Sequence, residues 1–166
     1  MLPRDNQEYG EGRVSHPTLS VRDPNKCTAM TKQFTLANGS TLSDSQIERV
    51  LRAVGHWCPY NQVRIEVQPS GCPYGAYVWP GERRIRVSMG DPSMFPFTDN
   101  WTPKVSWGRV TTRPQALIGL LAHEFWHMRQ YRGGHPLDEW SADYAAVHAL
   151  TCWRTGRRRN IPLYRG

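Results

Sequence analysis

The chain has 166 residues and a mass of 19.1 kDa, enough for one domain of ordinary size and too little for two. Hydrophobic residues at 39% and charged residues at 21% exclude a disordered chain, and no run of 18 apolar residues exists to span a membrane as a helix. The net charge of +7 is uneven: five arginines lie after Leu150, where no acid stands, and without them 16 basic residues face 14 acidic ones.

The opening, MLPRDNQEYGEGRVSH, lacks the apolar middle of a secretory signal, so a cytoplasmic protein is expected. Residues 1–40 are rich in Pro, Gly, Asn, Ser and Thr, show neither periodicity, and read as an extended arm with little structure of its own. Ser43 or Asp44 then caps a helix whose buried face carries Ile47, Val50, Leu51, Val54 and Trp57, ending near Pro59. Val63, Ile65 and Val67 alternate with polar residues, the period of a strand with one solvated face. Residues 76–79 and 84–88 predict a hairpin, with Pro80-Gly81 at the centre of a type II turn. A long loop follows over 90–107.

From Thr112 the pattern is helical. Thr112 and Gln115 form a capping box, Pro114 occupies the first turn, Ala116, Leu117, Leu120, Leu121 and Met128 supply an apolar face, and Gly133-Gly134 stops the helix. A second helix begins near Pro136, carries Asp138 and Glu139 in its first turn, and runs to Gly156. The divisions are therefore an arm over 1–40, one folded unit over 41–156 and a basic tail over 157–166.

His123, Glu124 and His127 stand in the run HEFWH on the first of these helices. A spacing of four puts both imidazoles on one face, a turn apart, where they reach one metal ion with Glu124 beside them. A surface decoration would not place three ionisable groups among leucines. Zinc that keeps a position open for water needs a third protein ligand. Glu139 is one candidate, because Asp143 one turn further on then holds an imidazole by its second nitrogen. His135, beside the flexible Gly133-Gly134, is the other, and it leaves the Glu139–Asp143 pair without a task.

HEFWH followed after eleven residues by EWSAD resembles the gluzincin clan of zinc metallopeptidases, above all its small single-domain members. The resemblance spans residues 62–155 and is carried by the two helical motifs. It implies an α+β, zincin-like domain in which a mostly antiparallel sheet of three or more strands packs on an active-site helix, followed by a glutamate helix. It further implies that His123, His127 and Glu139 bind Zn2+, that Glu124 is general base and acid, that Asp143 supports a ligand, and that the substrate is a peptide or protein. The strand that aligns substrate in such enzymes is an edge strand, matched here by Arg84 to Ser88. For the oxyanion stabiliser, Tyr131, His135, Tyr144 and His148 are all candidates.

Two alternatives stand beside it. The DNA-associated proteases of the SprT-like group take a later histidine as third ligand, which His135 faintly matches, and the arginine tail could grip a nucleic acid backbone. A non-catalytic, zinc-stabilised binding module would have no need of Glu124. Of the tryptophans, Trp126 and Trp140 are expected in the core, whereas Trp101 and Trp107 suit core and pocket equally. Cys27, Cys58, Cys72 and Cys152 lack the two-residue spacing of a thiolate zinc site and are expected as free thiols.

Overall fold

The computed structural model describes residues 18–22, 31–99 and 105–157. Five strands, β1 (Thr18–Arg22), β2 (Thr31–Asn38), β3 (Gln62–Pro69), β4 (Tyr74–Trp79) and β5 (Arg84–Met89), form one sheet in the order β1-β2-β3-β5-β4. Three helices, α1 (Asp44–Val54), α2 (Arg113–Arg132) and α3 (Glu139–Thr155), complete an α+β architecture with a small antiparallel pair, β6 (Phe97–Asp99) and β7 (Gly108–Val110).

The sheet is mixed, not mostly antiparallel. β1–β2 and β4–β5 pair antiparallel, but β2–β3 and β3–β5 pair parallel. Parallel neighbours need a crossover, and α1 supplies the one between β2 and β3. β4 lies beyond β5, and the chain returns from it to insert β5 against β3. Arg84 to Ser88 is therefore an interior strand, bonded on both sides, and the edge strands are β1 and, beside Arg84 to Ser88, Tyr74–Trp79.

The expected arm over 1–40 is also corrected. β1 and β2 fall inside it, and Phe34 and Leu36 are wholly buried in the core. Two apolar residues among Thr, Lys and Gln are too short a pattern to announce a strand, and the pairing with β3 decides it. Lys32, also buried, donates to the Cys58 carbonyl and so ties β2 to the turn after α1. Phe34 packs its ring 6.0 Å from that of Phe125 on α2. Phe34→Ala is expected to cost about 3–5 kcal/mol in urea unfolding, where a true arm residue would cost nothing measurable.

Every second residue of the central strands faces the helices: Val63, Ile65 and Val67 on β3, and Ile85, Val87 and Met89 on β5, are all buried. On the other face Glu66 accepts from Arg64 and Arg86, both at 3.0 Å. Ser43 caps α1 with a reciprocal capping box through Gln46. Trp57 falls outside that helix, in the short 3-10 turn Gly55–Trp57, and is buried there.

α2 has no single apolar face at its start. Residues 116–122 are buried all round, because the sheet, α1, α3 and β7 enclose the helix. Its predicted capping box is half present: Thr112 accepts from the Gln115 N–H, but the Gln115 side chain accepts from Thr111 instead. Asp138 is the N-cap of α3 and not part of its first turn, accepting from the N–H groups of Trp140 and Ser141. The β4–β5 connection is not the expected type II turn, which needs positive φ at Gly81; Arg83 carries it instead, at φ 52°. The loop over 90–107 contains the 3-10 turn Pro92–Met94 and β6.

No helix among the described residues is long and apolar enough to cross a membrane. Cys58, Cys72 and Cys152 are free thiols; burial pushes Cys58 up to about 11, so it stays protonated. Cys27, Trp101 and the tail beyond Arg157 lie outside the described residues.

Candidate metal centre

Helix geometry sets the first two donors. His123 and His127 sit one turn apart on α2, and their Nε2 atoms are 3.0 Å apart. The chain leaves α2 at Gly133, turns through Gly134 at φ 70°, and starts α3 so that its first residue, Glu139, comes back over both rings. Glu139 Oε2 is 3.1 Å from His123 Nε2, and Oε1 is 3.3 Å from His127 Nε2. These three side chains are the one group of metal-ligating donors that converges among the described residues.

The donor set fits one divalent ion. Tetrahedral zinc at about 2.0–2.2 Å from its ligands separates neighbouring donors by about 3.3–3.6 Å. The gap of 3.0 Å between the rings, and those of 3.1 and 3.3 Å from each ring to a different oxygen of Glu139, lie at or just under that spacing, so a slight spreading of the side chains admits an ion. The histidines are largely buried while the Glu139 side chain is 75% exposed, which leaves the cluster open to solvent on the α3 side. Three protein donors with one open side is the pattern of a catalytic site, whereas a structural site is closed by four.

Each imidazole has a partner on its other nitrogen. His123 Nδ1 lies 3.1 Å from Asp143 Oδ1, which also accepts from Trp107 Nε1 at 3.2 Å. The Trp107 ring in turn stacks on Tyr74, 5.2 Å between centroids and 12° between planes. His127 Nδ1 lies 2.9 Å from Gln130 Oε1. Burial works to lower the His123 pKa, but the Asp143 hydrogen bond and the charges of Glu124, Asp143 and Glu139 outweigh it, so the ring sits above its ordinary value. A proton therefore competes with metal at His123 as pH falls.

Glu124 is buried beside this cluster. Burial pushes its carboxyl up to about 7, the Glu139 charge adds to the rise, and His123 opposes it. An acid poised there can take and return a proton near neutrality.

The remaining candidates scatter. His135 is exposed, is outside the convergent group, and lays its ring over Gly133, where a Cβ would meet its Cδ2 at 2.7 Å. His148 lies nine residues after Glu139, on the opposite side of α3, with its ring 5.7 Å from that of Trp57. Tyr131 is exposed and reaches toward Gly81; Tyr144 is exposed and packs edge-on against Trp140 at 4.6 Å. Trp140 is thus not a core residue: it is 40% exposed, on the outer side of α3 with Tyr144 one turn on. Trp126 is half-buried and donates to Ser141 Oγ at 2.9 Å.

Gln130 was not expected as a site residue, and Trp107 was expected in core or pocket, not as the partner of Asp143. Trp107 and Asp143 are 36 residues apart, so only packing brings them together. Gln130, three residues beyond His127 on the same helix, had a signal in its spacing. Compared with known proteins, the chain matches no family model, no curated protein and no solved structure.

Proposed function

We propose that this chain is a zinc-dependent hydrolase of peptide bonds, on a small zincin-like domain of the gluzincin kind. The observation that carries the reading is the convergence of one donor atom each from His123, His127 and Glu139, all within 4.8 Å of one another, beside a buried glutamate that is not among them. Zinc held by His123, His127 and Glu139 would supply Lewis acidity, toward the substrate carbonyl and toward a water that attacks near neutral pH. Glu124 takes the proton of the attacking water and delivers it to the leaving amine, which its pKa of about 7 suits in both directions. Asp143 and Trp107 hold His123 in place throughout.

The substrate is a peptide or protein strand. Among the described residues β4 pairs within the sheet with β5 alone and touches α2, the place where an extended chain would add as a further strand. The SprT-like reading needs His135 as ligand, and its ring lies over Gly133.

One zinc per chain is expected by metal analysis, lost in Glu139→Ala and retained in His135→Ala. Cleavage of unfolded casein should cease with a chelator and return with added zinc. Zinc lost in His135→Ala and kept in Glu139→Ala would move the site to the SprT-like ligand set. Zinc bound without any cleavage of a broad peptide mixture would leave a binding module.

A further inference from the structure

We infer that Gln130 is the positioning residue that sets the tautomer of His127 and fixes the backbone that delivers Glu139; this rests on the metal-site reading above. Gln130 is buried between the end of α2 and the start of α3. Its amide meets the main chain of Asp138 twice: the Asp138 N–H donates to Oε1 at 3.3 Å, and Nε2 donates to the Asp138 carbonyl at 3.3 Å. Nε2 also donates to Ser141 Oγ at 2.8 Å.

A backbone N–H only donates and a carbonyl only accepts. Rotating the amide by half a turn would set donor against donor and acceptor against acceptor, so the peptide at Asp138 dictates which end of the amide is oxygen. That oxygen is the atom 2.9 Å from His127 Nδ1. An acceptor at that place requires Nδ1 to carry the proton, which leaves the Nε2 lone pair directed at Glu139 and His123.

The support is complete around it. Ser141 Oγ accepts from Trp126 Nε1 and Gln130 Nε2, and donates to the Asp138 carbonyl at 3.1 Å. Asp138 directly precedes Glu139, so the amide that orients one ligand also holds the chain at the next. The two imidazoles are thereby treated differently: His123 leans on a carboxylate, which makes it more basic, while His127 leans on a neutral amide, which orients it without adding charge.

The test uses the full chain labelled with 15N at histidine. At pH 8 with chelator present, His127 is expected as the Nδ1–H tautomer. Gln130→Met, which keeps the length and removes the amide, should weaken zinc binding about ten- to a hundredfold in a chelator competition and mix the His127 tautomers. Gln130→Glu, which restores the acceptor, should recover part of that affinity, and Ser141→Ala should lose less than Gln130→Met. His127 found as Nε2–H in the wild-type protein overturns the inference even if Gln130→Met fails to fold. So does zinc affinity in Gln130→Met within twofold of wild type. A wild-type chain that binds no zinc overturns the metal-site reading instead, and the tautomer still decides the role of Gln130 in holding His127.

Discussion

Glu124→Gln is expected to lower peptide cleavage by about 10²–10⁴-fold while one zinc stays bound, since the amide keeps the shape of the side chain and cannot take a proton. Glu124 is not among the three converging donors, so metal content should not follow activity. Activity and zinc lost together would make Glu124 a ligand; activity retained would remove it from the chemistry.

The same variant carries a pH signature in the metal-free protein. A carboxyl in the unfolded chain titrates near its usual value of 4.5, and that of Glu124 in the fold at about 7. Below about pH 4.5 the group is protonated in both states and costs nothing. As pH rises through 4.5 to 7 the unfolded chain releases its proton more readily, so stability falls; above 7 the fold bears the whole cost of a buried charge. At about 1.4 kcal/mol per unit this loss is roughly 3 kcal/mol. Glu124→Gln should abolish that decline and melt higher than wild type at pH 8, both without metal. Calorimetry across pH 4 to 8 checks it, and parallel curves for the two proteins would contradict the burial of a charged Glu124.

Gly119→Ala should destabilise the protein and weaken zinc binding, although the exchange inside a helix ordinarily gains up to about 1 kcal/mol. A Cβ on Gly119 would stand 2.6 Å from Trp107 Cζ3 and 2.8 Å from Cε3. Tyr74 stacks on that indole, which limits how the ring can shift. Overpacking of this kind costs about 1–3 kcal/mol, which reverses the sign of the helix gain. The displaced indole would also lose its bond to Asp143, and Asp143 its hold on His123. Zinc affinity is therefore expected to fall about tenfold or more with the melting temperature. Trp107→Phe separates the two effects: the ring stays, the N–H goes, and zinc binding should suffer more than stability. A raised melting temperature in Gly119→Ala would mean that the indole does not lie against the helix.

The parts legible in the amino-acid order are those decided within a turn or two of chain. The α1 cap at Ser43, the alternation through Val63 and Val67 and the glycine stop after α2 all follow from local geometry. So does the placing of His123 and His127 on one face, which a helical spacing of four ensures wherever the helix goes. What misled was also local: β2 has too few apolar residues to mark it as a strand, Pro80-Gly81 suggested a turn that Arg83 makes possible, and Trp140 suggested a core it does not enter.

Tertiary structure alone decided the rest. Whether β5 or β4 takes the edge depends on which neighbour the returning chain pairs with, and no residue of the hairpin records that choice. Whether Glu139 or His135 joins the two histidines depends on the angle at which α3 leaves Gly134, a matter of how the helices pack. Trp107 beside Asp143, Gly119 beneath Trp107 and Asp138 around Gln130 are contacts made by packing and by backbone groups that every residue shares. Periodicity reports the face a side chain turns to, and only the assembled core determines what meets it there.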